Sequence, residues 1–431
     1  LRAVDSENKK NLQSDAWRLS QLAKSLSNPA HPYHHFSTGN LQTLKEDPES
    51  RGVKVREEFI RFYERHYSAN RMKLVVLGRE SLDDLEQWVV ELFSEVKNKD
   101  LEQNRWDGIE MLSQQQLLTE VLAKPVMESR SLEISFPWQD EDDMYETQPA
   151  RYISHLIGHE GPGSVLAYLK EQGLAQTLAA GYQPVCPGSA FFEIDIGLTP
   201  KGLENYHEVA RIVFKYIGMM KANPPVEWMH QEMKNMAEVD FRFRQKSPAS
   251  RFTSGTSSVM QKKLPRHWLL SSTSKFRKFD AKAIVQAMQY LREDNFRLML
   301  VSQDYPGNWD QKEKWYGTDY KVDQIPTDVR SGIQKALNAP NEDRIEALHL
   351  PHKNEFIPTK LDVEKVEVKE PAKTPKLLRN DDLVRLWWKK DDTFWVPKAN
   401  LSIKLRNQVA YANPLNYVKA NLFVNLVKDA L

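Results

Sequence analysis

The stretch KLDVEKVEVKEPAKTPK (360–376) sets the outer limit on what this chain can fold into. It is rich in Lys, Glu and Pro and poor in core residues, so it reads as an extended tether rather than as part of a packed interior. A chain of 431 residues interrupted at this point is expected to form separate bodies on either side, each with its own core. A second charged, apolar-poor stretch, KNKDLEQNRWDG (97–108), is a further linker candidate.

Between these breaks the hydrophobic period alternates between helix and strand. NLQSDAWRLSQLAKSL (11–26) places Leu12, Ala16, Leu19, Leu22 and Leu26 at helical spacing, and VREEFIRFYERHY (55–67) reads as a second helix. MKLVVLG (72–78) reads as a buried strand, followed by a helix capped by Ser81 with Asp84 at the capping-box position. In SLEISF (131–136) and FFEIDIGL (191–198) apolar and polar residues alternate, the signature of half-buried strands. A helix with Pro149 near its start follows the first of them, SVLAYLKEQ is a helix stopped by Gly173, and RLMLVS (297–302) is another buried strand. A loose repeat links the pieces: residues 69–85 resemble 294–305, and the strand, turn and helix beginning RSLEISF resemble ANLSIKLRNQVAYANPLNYVKANLFVNLV (399–427). The expected fold class is α+β, a series of related modules with helices packed on mostly antiparallel sheets.

Bulk charge excludes little beyond a binder that relies on it. Lys and Arg number 60 against 59 Asp and Glu, so no nucleic-acid partner is expected. No apolar run approaches the length needed to cross a bilayer, and no membrane partner is expected. Cys186 is the only cysteine, so no internal disulfide forms and a reducing, cytoplasmic setting is the expectation. The chain opens without an initiator methionine or an apolar leader, which reads as a fragment or a processed product.

One stretch invites a chemical reading. In HLIGHEGPGS (155–164), His155 and His159 stand one helical turn apart with Glu160 beside them. On a continuous helix they could chelate a metal. However, Gly158 weakens the helix and the Gly161-Pro162-Gly163 run breaks it, and the order H-x-x-x-H-E matches neither zinc-peptidase box. The motif offers instead a glycine-lined bend bearing one carboxylate. Such a bend suits either a cradle for a peptide's free amino terminus or a plain connection with a solvated Glu160. HPYHHFSTG (31–39) reads as a solvated loop, and FRFRQKSPASRFTS (241–254) as aromatics beside solvated arginines. Cys186 reads as packing, and Glu7 as one of many surface glutamates.

The resemblance to a known family rests on longer runs. AVDSENKKNLQSDAWRLSQLAKSLSNPAHPYHHFSTGN, SANRMKLVVLGRESLDDL, SHLIGHEGPGS, EKWYGTDY, NEFIPT and LWWKKDDTFWVPKAN resemble, in order, successive landmarks of the insulysin-like metallopeptidases. These are pitrilysin-type inverted zincins, and the fungal members resemble this chain most. In that family an H-x-x-E-H helix supplies two zinc ligands and the general base, and a glutamate in an AVDSE stretch is the third ligand. The resemblance makes Glu7 that ligand; no H-x-x-E-H occurs in these 431 residues. It makes His155, Leu156, Ile157, Gly158, His159, Glu160 and Gly161 one half of a substrate exosite. The other half is an edge strand, Leu178, Ala179, Ala180, Gly181 and Tyr182. Ala180 and Tyr182 depart from the residues expected there.

What the resemblance implies is half of a clamshell of tandem metallopeptidase-type modules. Residues 1–103 would be the C-terminal part of the first domain and 104–359 an inactive second domain carrying the exosite. Residues 360–380 would be the interdomain linker and 381–431 the start of a third domain. Zinc would serve the full-length relative and would not be held stably by this chain, which is expected to be inactive alone. Peptide substrates are the implied partners, and the family allows homo-oligomers. The function implied is substrate anchoring in a zinc metalloendopeptidase. The alternatives are a non-catalytic peptide-binding or scaffold subunit of the same family, and a product with no stable fold.

Overall fold

A computed structural model describes residues 1–430, which fall into two compact units, Leu1–Ile357 and the segment from Pro358 onward. In the first unit, α1 (Arg2–Asn11), α2 (Asp15–Ser25), α3 (Val55–His66) and α4 (Leu82–Phe93) precede the sheet. The sheet itself is built from β1 (Thr119–Ala123), β2 (Ser131–Trp138), β3 (Ala175–Cys186), β4 (Ser189–Leu198), β5 (Arg297–Val301), β6 (Gln311–Lys312) and β7 (Asp319–Gln324). Between β2 and β3 lie α5 (Pro149–Ile157) and α6 (Val165–Glu171); α7 (Tyr206–Ala222) follows β4, and α8 (Thr327–Asn338) follows β7. The spatial order is β3-β4-β2-β5-β1-β7-β6. Only β1 and β5 pair in parallel; the remaining pairs are antiparallel.

Alternation along each strand decides which layer covers it. Leu132, Ile134 and Phe136 of β2 and Phe192, Ile194 and Ile196 of β4 are fully buried against the helical layer. The helical layer contributes Ile153 and Leu156 of α5, Phe214 and Ile217 of α7 and Ile333 of α8. Each such side chain contributes about 1.5–3 kcal/mol through its removal from water. On the opposite face, Val121 and Ala123 of β1 and Met299 and Val301 of β5 meet Leu22 of α2. The sheet is therefore covered on one face along most of its width, and on the other by α2 over β1 and β5.

Two expected strands do not form. Leu74, Val76 and Leu77 of the 72–78 run are exposed (45%, 44% and 54%) and lie in irregular backbone. A strand is stable only with a ladder partner and a surface to cover, and among the described residues no strand pairs with this segment, whose Lys73 carbonyl accepts instead from the Ser257 hydroxyl. The same reason accounts for 399–406, where Leu401, Ile403 and Leu405 stand exposed outside any strand. The second unit holds a hairpin, β8 (Lys376–Asn380) with β9 (Arg385–Trp388), and the helix α9 (Pro414–Ala430). The expected helix over 11–26 begins at Asp15, because α1 occupies the preceding residues and ends at Asn11. Glu7 lies within α1 and is exposed.

Candidate peptide-binding site

The break after α5 is built by two glycines. Gly158 closes the helix, and a Cβ placed on it would lie 2.9 Å from the Ser154 carbonyl oxygen and 3.6 Å from the Ala180 backbone nitrogen. A side chain there would crowd the Ser154 carbonyl and fill the space up to van der Waals contact with Ala180 of β3. Gly163 has φ +84°, and a Cβ on it would fall on the His349 ring at 2.3 Å. His349 in turn donates its backbone N–H to the Gly163 carbonyl at 3.0 Å. The chain then restarts with Ser164, whose Oγ accepts from the Ala167 N–H at 3.1 Å to cap α6. The two segments singled out in the sequence, 155–161 and 178–182, thus meet at Gly158 and Ala180.

Their side chains divide into packing and exposed groups. Leu156, Ile157 and Leu178 are buried in the main core, so their contribution is to hold the backbone in place. Ala180 and Tyr182 are half-buried against that core, Gly181 is half-buried, and Ala179 and Glu160 are exposed. The His155 and His159 rings lie 6.0 Å apart at 55°. Burial holds both imidazoles below their usual value; His159 lowers His155 further, while for His159 itself Glu160 opposes the fall and His349 adds to it. With both imidazoles held below their usual value, Glu160 is the one carboxyl side chain of the bend.

β3 is an edge strand. It pairs with β4 alone, and among the described residues no backbone hydrogen bond joins 176–186 to any other element. Pro184 sits in it, as Pro does on edges. On the helix side of this edge is a cavity of about 490 Å³ lined by Arg151, Ser154, Tyr182, Pro184 and Lys262, among others. Tyr182 Oη accepts from the Glu141 N–H at 3.0 Å, and burial pushes its phenol up, so it stays neutral. The arrangement offers an extended peptide unpaired backbone groups to bond, a cavity beside them, and a carboxylate at the bend.

The opposite face of the same edge carries a row of acids that the sequence analysis did not single out. Glu193 and Asp195 of β4 lie opposite Gly181 and Ala179 of β3, and Asp195 also lies opposite Glu133 of β2. Burial, then Glu133 and Asp195, pushes Glu193 up to about 8; Asp195 presents an exposed side to solvent, yet the desolvation of the rest of its surroundings and Glu133 push it up to about 6. Arg297 of β5 faces them from below and donates Nη1 to the Leu26 carbonyl at 3.0 Å. The signal was present in FFEIDIGL, where the polar positions of the alternation are both carboxylates.

The other sequence candidates lie elsewhere. His31 is buried rather than solvated: its Nδ1 accepts from the Tyr33 N–H at 3.0 Å, which places the proton on Nε2, 2.9 Å from Ser189 Oγ. The histidine loop is thereby pinned to β4. In 241–244 the aromatics are half-buried and stack with arginines, Arg244 lying 5.2 Å from the Phe241 centroid. Burial raises the Cys186 thiol, which disfavours a thiolate. Among the described residues no group of three or more His, Cys, Asp or Glu is placed to hold a metal ion. Zinc needs three protein ligands at a catalytic site, so the exposed Glu7 and its surroundings do not fit a zinc centre. No helix among the described residues is long and apolar enough to cross a membrane.

Comparison with known proteins fits this geometry into a family. Residues 54–237 match the family described as "Peptidase M16 inactive domain", and residues 241–431 match "Middle or third domain of peptidase_M16". The chain belongs to the M16 peptidase family. It is 39% identical over 432 residues to the A-factor-processing enzyme of Saccharomyces cerevisiae and to the insulin-degrading enzyme of Homo sapiens. All of this chain aligns with each, and it spans 41% of each relative's length. The insulin-degrading enzyme-like 1, peroxisomal, of Arabidopsis thaliana is 36% identical, with 43% of its length covered. Among solved structures, pitrilysin superposes with a TM-score of 0.78 at 25% identity, over 89% of this M16 chain and 40% of its own. The family and the α+β architecture expected from the sequence are those found.

Proposed function

We propose that this M16 chain anchors peptides for a zinc metalloendopeptidase. The observation that carries the reading is the open edge of β3 lying against the Gly158 bend. A peptide would add a strand along 178–182, with its amino terminus beside Glu160 and a side chain entering the cavity at Tyr182. Leu178, Leu156 and Ile157 fix the two backbones, and Gly158 permits their approach. Backbone pairing reads shape more than sequence, which suits a site that takes many peptides. The relatives' names describe enzymes that process A-factor and degrade insulin, and peptides of that kind are the proposed ligands. The hydrolytic step is assigned to residues other than those described, since Glu7 has no companion ligands.

Titration of the purified chain with a short peptide and its N-acetylated twin tests this reading. The free amine is expected to bind at least about threefold tighter, within the range of one partly exposed charge pair. Mass spectrometry of the mixtures should return the peptide uncut, with or without a chelator. Equal affinities would remove the role of Glu160, and chelator-sensitive cleavage would overturn the assignment of chemistry elsewhere.

A further inference from the structure

An added strand has two sides, and the proposed anchoring accounts for only one of them. On the helix side a peptide side chain meets the cavity at Arg151, Ser154 and Tyr182. On the other side the neighbours on β3 are Ala179 and Gly181, the smallest residues available, and behind them stand Asp195 and Glu193. Strands lie about 4.8 Å apart, so a peptide strand and β4 would be separated by roughly twice that. An extended Lys or Arg and a carboxylate side chain together span this gap when nothing bulky stands between them. A larger residue at 179 or 181 would close it.

We infer that the edge site selects extended peptides bearing two basic side chains two residues apart, which cross Gly181 and Ala179 to reach Glu193 and Asp195. The inference rests on strand addition at β3. The spacing follows from register: residues opposite 181 and 179 on an added strand are separated by two and point to one face. The charge follows from what surrounds the acids. Glu133 faces them from β2, and Arg297 is the cation set against them from β5, already bonded to the Leu26 carbonyl. Tyr33 is half-buried nearby and stays neutral, its phenol pushed up by desolvation, and Lys24 lies over its ring, 5.1 Å from the centroid. Three carboxyl groups face one guanidinium in a partly dry place, more acid than Arg297 balances, and the raised affinity of Glu193 and Asp195 for protons reports that crowding. A cationic side chain relieves the repulsion that a proton would otherwise relieve. Asp195 and Ala179 are exposed, so the path across the strand is open.

Fluorescence anisotropy with the 431-residue chain decides the matter. Three peptides labelled at the carboxyl end are compared at physiological salt: Arg at i and i+2, Gln at i and i+2, and Arg at i and i+1. The first is expected to bind about tenfold tighter than the second, the range of a charge-assisted hydrogen bond, with the third between them. In the E193Q/D195N double variant, checked for folding by thermal melting, all three should bind as the Gln peptide binds the unaltered protein. D195N alone, at an exposed position, should halve the preference on a logarithmic scale and serves if the double variant melts early. Equal binding of the three peptides, or a preference that survives the double substitution, would overturn the inference while leaving strand addition intact. Failure of all three to bind would remove both.

Discussion

The two faces of β4 differ in what their residues do for the molecule. Phe192, Ile194 and Ile196 point into the helical layer and are fully buried. Glu193 and Asp195, between them, point to the opposite face, over a part of it that the apolar contacts of α2 with β1 and β5 do not reach. The same backbone therefore carries cohesion on one side and crowded acidic groups on the other. The lesson is that stability and recognition are separable here residue by residue, because a strand's period of two assigns neighbours to opposite surroundings.

The largest expected effect tests the apolar side. Phe192→Ala should cost about 3–5 kcal/mol in urea unfolding, since its ring packs at 5.0 Å from that of Trp138 and no solvent can fill the gap. A loss under about 1 kcal/mol would mean that the helical layer does not depend on β4. The smaller effect tests the charged side and has the opposite sign. Glu193 holds its proton to about pH 8 in the fold, against 4.5 for an ordinary glutamate. Between those values the folded state binds more protons, so its stability declines as pH rises. Glu193→Gln carries no proton to lose. Its melting temperature should therefore gain on that of the unaltered protein by a few degrees between pH 5 and pH 9, on the scale of about 2–4 °C per kcal/mol. Asp195, Glu133 and Arg297 remain in both proteins and cancel from the difference to first order. A gap that narrows with pH would show that Glu193 is stabilised as a carboxylate, and that the row is balanced.

How much was legible followed from whether a pattern needed a distant partner. The strands at 131–136 and 191–198 were readable because alternation reports burial on one face, and each found a neighbour. The run at 72–78 carried a comparable apolar signal, but a strand's ladder comes from elsewhere in the chain and local sequence does not report it. The bend at 158–163 was readable from its glycines, whose positions are explained by the approach of Ala180 and His349. That 155–161 touches 178–182 was implied by family resemblance rather than by spacing. The carboxylate row was visible as alternate residues, yet its crowding arises from Glu133, sixty residues away in sequence and adjacent in register. His31 was misread as solvated because its partner, Ser189, is more remote still, 158 residues along the chain.

Backbone hydrogen exchange across β3 is the most direct test of the anchoring site. With a saturating free-amine peptide present, amides within 178–182 should exchange more slowly, while those of β5, already buried mid-sheet, stay unchanged. Protection confined to other segments, or none at β3 despite measurable binding, would contradict strand addition at this edge.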